Sequence, residues 1–194
     1  MPFSIYLASG SPRRKELLSQ IGVRYEQLLP VVDESKDENE SPIPYVKRLA
    51  RLKAEAGLKM LAATEQRPVL GADTIVVLDD HIYGKPGDAD EAFSTLMALS
   101  GRAHQVMTAV AVVSQTSQKV ICSCSNVLFR TIQPDEVRAY CHSGEPMDKA
   151  GAYAIQGVGA IFVEEIQGSY SGIVGLPLMD TAKLLSEFGV PVLV

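Results

Sequence analysis

Six charged residues stand in this chain where packing alone does not account for them: the acids Glu34 and Asp73 and the cations Arg13, Arg14, Lys53 and Lys85. Asp73 lies inside the apolar run Val69-Leu70-Gly71-Ala72-Asp73-Thr74-Ile75-Val76-Val77. A carboxylate in such a run needs a cationic partner, a metal or a functional reason; an aspartate that merely caps a bulge is the plainer alternative. Gly71 and Ala72 are expected to leave room beside it for a ligand. Glu34, in Val32-Asp33-Glu34-Ser35, follows a strand end. It is either a solvated loop charge or, with Asp73, half of a carboxylate pair suited to Mg²⁺ or Mn²⁺, which take oxygen ligands and keep several waters. Arg13 and Arg14 fall in the first turn of a helix opened by Ser11-Pro12. The helix dipole disfavours cations there, so the pair costs stability unless an anion binds. Free N–H groups, the Ser9 and Ser11 hydroxyls and two guanidinium forks would converge on a spot suited to a polyphosphate. The bland alternative is an exposed pair that only starts a helix.

The remaining candidates carry less on their own. Lys53 sits on a long helix beside its apolar stripe, as a directed ammonium or a snorkelling one. Lys85, in Gly84-Lys85-Pro86, is expected to be aimed by a rigid turn in which Gly84 permits unusual angles and Pro86 fixes the exit; an ordinary solvated lysine fits the same residues. Gln156, in Asp148-Lys149-Ala150-Gly151-Ala152-Tyr153-Ala154-Ile155-Gln156-Gly157, can offer a base edge both a donor and an acceptor, or belong to a flexible loop without meaning. His81, His104 and His142 show no ligand spacing and are assigned no role.

The elements that must position these residues are legible in outline. Ile5 to Ala8 reads as a buried strand, with Ser11 as N-cap and Pro12 at the first position of the next helix. Val23 to Pro30 holds a short strand, followed by an acidic stretch from Asp33 to Glu40. Ser41-Pro42 opens a long helix whose apolar stripe is Tyr45, Val46, Leu49, Leu52, Ala56 and Met60. Val69 to Leu78 is a buried strand, Asp79-Asp80 a hairpin turn and His81 to Tyr83 a return strand. Asp88 caps a helix ending at Ser100-Gly101. His104 to Ser114 and Lys119 to Ile132 form a long antiparallel hairpin. Pro134 starts a helix to His142. Gly151 to Gly159 is Gly-rich and reads as mobile, Ala160 to Ile166 as a strand and Pro177 to Phe188 as the last helix. The alternation, interrupted by one long hairpin, favours a mixed sheet flanked by helices over a parallel doubly wound one.

Composition narrows the partners. The 194 residues fit one domain, or one with a lobe, and 46% are hydrophobic. The formal charge of −5, from 23 acids against 18 Lys plus Arg, argues against a nucleic-acid-binding protein. Neither an apolar stretch of about 20 residues nor a secretory leader pattern is present, which excludes a membrane span and favours a cytoplasmic protein. Three cysteines without a CxxC pair argue for reduced thiols over a disulfide framework or zinc site. The glycine patterns of a dinucleotide-binding turn and of a P-loop are absent.

Seven segments taken in order resemble the Maf family of nucleoside triphosphate pyrophosphatases: SPRRKELL at 11–18, VDES at 32–35, RLARLKA at 48–54, GADTIV at 71–76, GKP at 84–86, DKAGAYAIQG at 148–157 and VGLPL at 174–178. The resemblance implies a single domain over 1–194, an elongated mixed α/β sheet with helices on both faces, and a cleft between two lobes as in inosine triphosphate pyrophosphatases. It implies hydrolysis between the α- and β-phosphates, giving a monophosphate and pyrophosphate, with a divalent cation (Mg, Mn or Co) as cofactor. Within the family, Arg13, Thr74 and Gln156 resemble the branch acting on dTTP and UTP, to which modified pyrimidine triphosphates are added as expected substrates. The 7-methyl-GTP branch would carry an aromatic residue in place of Arg13 and Gln in place of Thr74.

The roles implied are Asp73 as proton acceptor, Glu34 and Asp73 as metal ligands, and Ser9, Arg14, Lys53 and Lys85 as phosphate ligands. The four cations against two acids leave a net of two positive charges, set against about four negative charges on a triphosphate. The short apolar end, Val190-Pro191-Val192-Leu193-Val194, is expected to pack as a terminal strand or at a homodimer interface. A nucleotide-sensing regulator of septum formation, without turnover, is the second reading. It would need the cations but not Asp73.

Overall fold

The computed structural model describes residues 4–192. Among the described residues, seven strands and six α-helices follow in the order β1 (Ile5–Ala8), α1 (Pro12–Gln20), β2 (Tyr25–Leu28), α2 (Pro42–Lys59), β3 (Val69–Leu78), β4 (His81–Tyr83), α3 (Ala89–Leu99), β5 (Ala103–Val113), β6 (Gln118–Phe129), α4 (Pro134–His142), β7 (Val163–Gln167), α5 (Tyr170–Val174) and α6 (Leu178–Glu187). The strands form one mixed sheet in the order β2-β1-β3-β5-β6-β7, with β4 also paired to β3. β1 runs parallel to β2 and β3, while β4 and β7 run antiparallel to β3 and β6. The mixed, helix-flanked sheet is the one expected. None of the helices is long and apolar enough to cross a membrane among the described residues.

The chain divides into two compact units. The first holds the residues up to Asp73, Thr108–Ser123 and those from Gly175 onward; the second holds Thr74–Met107 and Cys124–Val174.

In the first unit, helix α2 lies unusually close to the sheet. A Cβ on Gly71 would fall 2.5 Å from the Ala50 carbonyl oxygen and 2.6 Å from the Ala54 nitrogen. So Gly71 makes room for a helix, not a ligand, and Ala72 is wholly buried. The buried face of α2 is Val46, Leu49, Ala50, Ala54 and Gly57. The expected stripe through Leu52, Ala56 and Met60 is therefore rotated, and Met60 is exposed. Small residues define the buried side because backbone approach, not side-chain bulk, is what packs there.

In the second unit, Leu96, Leu99, Val127, Phe129, Tyr140 and Phe162 build the core. Asp88 caps α3 as expected, its carboxylate accepting from Glu91 N at 2.8 Å. Asp79 and Asp80 take left-handed angles (φ 49° and 62°), the geometry of a two-residue hairpin turn. The segment from Gly151 to Gly159 is anchored, not mobile. Gly151 has φ 69° and no space for a Cβ, which would meet Val76 at 2.6 Å. Tyr153 is buried with its hydroxyl 2.9 Å from His104 Nε2. Two further expectations shift: Val158–Phe162 is a 3₁₀ helix, so the strand starts at Val163, and α5 was not foreseen. Residues 190–192 extend as no strand, and Leu193 and Val194 lie outside the described residues. None of the three cysteines forms a disulfide.

His104, given no role from sequence, proves to be a core residue, 2% exposed and edge-on to Phe129 and Tyr153. Burial lowers its pKa to about 4, against about 6.5 unfolded. Because the folded value is depressed, the unfolded chain binds the extra proton between those values, and stability falls as pH drops from about 6.5 to 4. The full loss is on the order of 3 kcal/mol. Denaturant melts at pH 7 and pH 4.5 are expected to show a smaller drop for His104→Gln than for the parent chain; an equal drop would remove His104 from the acid limb.

Candidate functional site

The site begins at α1. Ser11 occupies the N-cap and Pro12 the first turn, as expected, but the Ser11 hydroxyl makes no capping bond. Ser9 acts instead: its Oγ accepts from Ser11 N at 3.3 Å and from an Arg14 terminal nitrogen at 3.2 Å. Arg14 Nε donates to the Gly175 carbonyl at 2.9 Å, tying α1 to the segment ahead of α6. The guanidinium is thereby fixed in direction, and no acid occupies the first turn of α1. Burial lowers the Arg14 pKa; the nearby Asp73 and Glu34 charges oppose that, and Arg13 adds to it. The arginine pair and the strand acid thus share one electrostatic neighbourhood.

Asp73 extends from β3 on the side facing α2, the side that Gly71 also presents. There it meets Lys53, whose Nζ donates to Asp73 Oδ1 at 2.6 Å and reaches Glu34 Oε1 at 2.7 Å. Lys53 is neither a snorkelling side chain nor part of an apolar stripe. It lies on the buried side of α2 between Ala50 and Gly57, and one ammonium spans both carboxylates. Asp73 Oδ2 has no hydrogen-bond partner among the described residues.

Glu34 is held by its backbone. The Tyr45 hydroxyl donates to the Glu34 carbonyl at 2.9 Å, and an Arg48 terminal nitrogen donates to the Ser35 carbonyl at 2.9 Å. Arg48 also forks onto Glu40 at 2.8 and 2.6 Å, which raises its pKa. Burial, then the charges of Asp73 and Glu34, raise the Tyr45 pKa. Tyr45, read as part of the apolar stripe, and Arg48 were given no part in the site, although their place about two turns and one turn ahead of Lys53 on the same helix was the available signal.

The second unit carries the other three candidates. Thr74 is the next residue of β3 and partly buried. Lys85 is exposed, and Gly84 does not use the left-handed angles that glycine permits. Gly84 instead offers its carbonyl to Gly151 N at 3.0 Å, which brings the Lys85 segment beside the loop bearing Gln156. Gln156 is exposed at the crest of that loop.

The donor set bears on a metal. Glu34 and Asp73 bring hard oxygens together around the Lys53 ammonium nitrogen, 2.7 and 2.6 Å from it. No cluster of three or more His, Cys, Asp or Glu that could cage an ion exists among the described residues. Two carboxylates fit an ion that brings waters and phosphate oxygens as its other ligands, the usual manner of Mg²⁺.

A paired strand carboxylate, an ammonium beneath it and a fixed guanidinium at an uncapped helix start define a protein equipped to hold a polyanion beside an acid. The chain belongs to the Maf-like protein family, whose model matches residues 4–188. It is 53% identical over 190 residues to the dTTP/UTP pyrophosphatase of Saccharophagus degradans, spanning 97% of this chain and 90% of that one. It is 51% identical over 191 residues to the dTTP/UTP pyrophosphatase of Pseudoalteromonas translucida, spanning 97% and 98%. Among solved structures, the Staphylococcus aureus Ham1 protein aligns with 64% of this chain and 71% of its own at TM-score 0.46 and 16% identity.

Proposed function

We propose that this protein is a nucleoside triphosphate pyrophosphatase that hydrolyses dTTP and UTP, and related modified pyrimidine triphosphates, to the monophosphate and pyrophosphate. The observation that carries the reading is the Lys53 ammonium set between Asp73 and Glu34, in the charge field of Arg14. A nucleotide sensor would need the cations alone; a buried acid with one oxygen uncommitted is equipment for chemistry.

Asp73 Oδ2 takes the proton of the attacking water, while Lys53 at Oδ1 keeps the carboxylate oriented. Rigid placement on a central strand, not a loop, holds that oxygen in a fixed direction. Ser9 and Arg14 bind phosphate oxygens, and Arg14, Lys53 and Lys85 stabilise charge growing on the leaving pyrophosphate. Glu34 and Asp73 would hold a divalent ion, which when bound lowers the pKa of water and polarises phosphate oxygens. Arg13, Thr74 and Gln156 discriminate the base, an assignment supported by the motifs in which they stand. Residues 1–194 act as one functional domain on this reading.

The decisive measurement is a panel of nucleoside triphosphates with Mg²⁺, Mn²⁺ or Co²⁺, scored for pyrophosphate against orthophosphate. Pyrophosphate from dTTP and UTP, dependent on the ion, is expected. Orthophosphate as first product would exclude attack at the α-phosphorus, and binding without turnover would favour the sensor.

A further inference from the structure

Gln156 sits on a turn that is closed from both sides by two residues with no assigned part. The Ala154 carbonyl accepts from Gly157 N at 3.1 Å, which makes Ile155 and Gln156 the central residues of the turn. On the entering side, Ala154 N donates to the Tyr140 hydroxyl oxygen at 3.1 Å. On the leaving side, Val158 N and Gly159 N donate to the two Glu145 carboxylate oxygens at 3.0 and 3.1 Å. The Tyr140 hydroxyl then donates to Glu145 Oε1 at 2.8 Å and joins the two sides. The fit is tight: a Cβ on Gly157 would fall 2.4 Å from the Glu145 carboxylate, and one on Gly159 2.7 Å from the Tyr140 hydroxyl.

We infer that Tyr140 and Glu145 are positioning residues for base selection, fixing the direction in which Gln156 presents its amide and so the preference for pyrimidine over purine triphosphates. This rests on the function proposed above. An amide distinguishes one base edge from another only if its donor and acceptor are held in place. A long side chain on a loose turn must be ordered at each binding event, and the selectivity drains away. Here the backbone on both sides of Gln156 is hydrogen-bonded to one buried phenol and one carboxylate. Burial would raise the Glu145 carboxyl, but the Gly159 N–H, the Tyr140 hydroxyl and the Val158 N–H outweigh it, so its pKa is lowered and the clamp stays ionised.

Glu145→Gln keeps the shape but sets an NH₂ group against a backbone N–H. Tyr140→Phe removes the link and keeps the ring edge-on to Phe162. Each variant is expected to lower the ratio of kcat/KM for UTP over GTP by about tenfold, the scale of one weakened neutral hydrogen bond. The loss should fall on KM for UTP more than on kcat. In a Gln156→Ala background, Glu145→Gln should change the ratio no further. Amide hydrogen exchange over residues 154–159 should quicken in both variants, a reading independent of turnover. Unchanged exchange, an unchanged ratio, or an equal loss persisting without Gln156 would each overturn the inference. A parent chain that releases no pyrophosphate would instead overturn the function and take the selectivity role with it, leaving exchange to judge the clamp itself.

Discussion

Asp73→Asn is expected to lower kcat for pyrophosphate release by about 10² to 10⁴, the range for loss of a positioned general base, with KM changed only a few-fold. The substitution preserves volume, and an amide oxygen in the Oδ1 place still accepts from Lys53, which retains Glu34 as its ionic partner at 2.7 Å. The change therefore removes proton affinity while keeping the architecture. Steady-state kinetics alongside a nucleotide-binding titration separates the two effects. Turnover near that of the parent would strip Asp73 of its role. A collapse of binding instead of turnover would recast it as a structural counter-ion of Lys53.

Gly71→Val should be the most damaging substitution away from the reacting groups. Even the first added carbon lands at 2.5 and 2.6 Å from backbone atoms of α2, which cannot swing aside as a side-chain tip would. Forcing atoms into a filled core costs about 1–3 kcal/mol or more. At roughly 2–4 °C per kcal/mol for a chain of this size, Tm should fall by about 2–12 °C. The loss should not be of stability alone. Relief comes by pushing α2 off the sheet, which lengthens the Lys53–Asp73 contact, so kcat measured well below the transition should fall as well. A variant with the parent's Tm would show that α2 is not seated as described.

Those two residues also show what could be read in advance. Strand β3 announced itself through its unbroken apolar run, and Asp73 through its conflict with that run. The helix starts at Pro12, Pro42 and Pro134 and the Asp88 cap were visible because local chemistry decides them. The face of α2 was not. Ala50, Ala54 and Gly57 carry little apolar bulk, so a count of large side chains turned the helix toward Leu52 and Met60, and Lys53 seemed to border the core instead of crossing it. The loop at 151–159 misled for a related reason. Glycines look mobile in a sequence, yet Gly151 is required where Val76 packs against it, and Gly157 and Gly159 leave the space taken by the Glu145 carboxylate and the Tyr140 hydroxyl. Tyr140 and Glu145 are five residues apart, and nothing local says that they meet the backbone fourteen residues onward. Non-local hydrogen bonds of that kind leave no periodic trace.

Arg14 owes its fixed direction to a carbonyl 161 positions downstream. On the ribosome, where residues emerge in order, the strand acid, its ammonium and the arginine are all made early. The Gly175 carbonyl follows the arginine by 161 positions. Contacts with so long a separation form late because closing the intervening chain is entropically costly. A chain that has emerged only as far as Val174 therefore holds Asp73, Lys53 and Arg14 and still lacks one of the two contacts that aim the arginine.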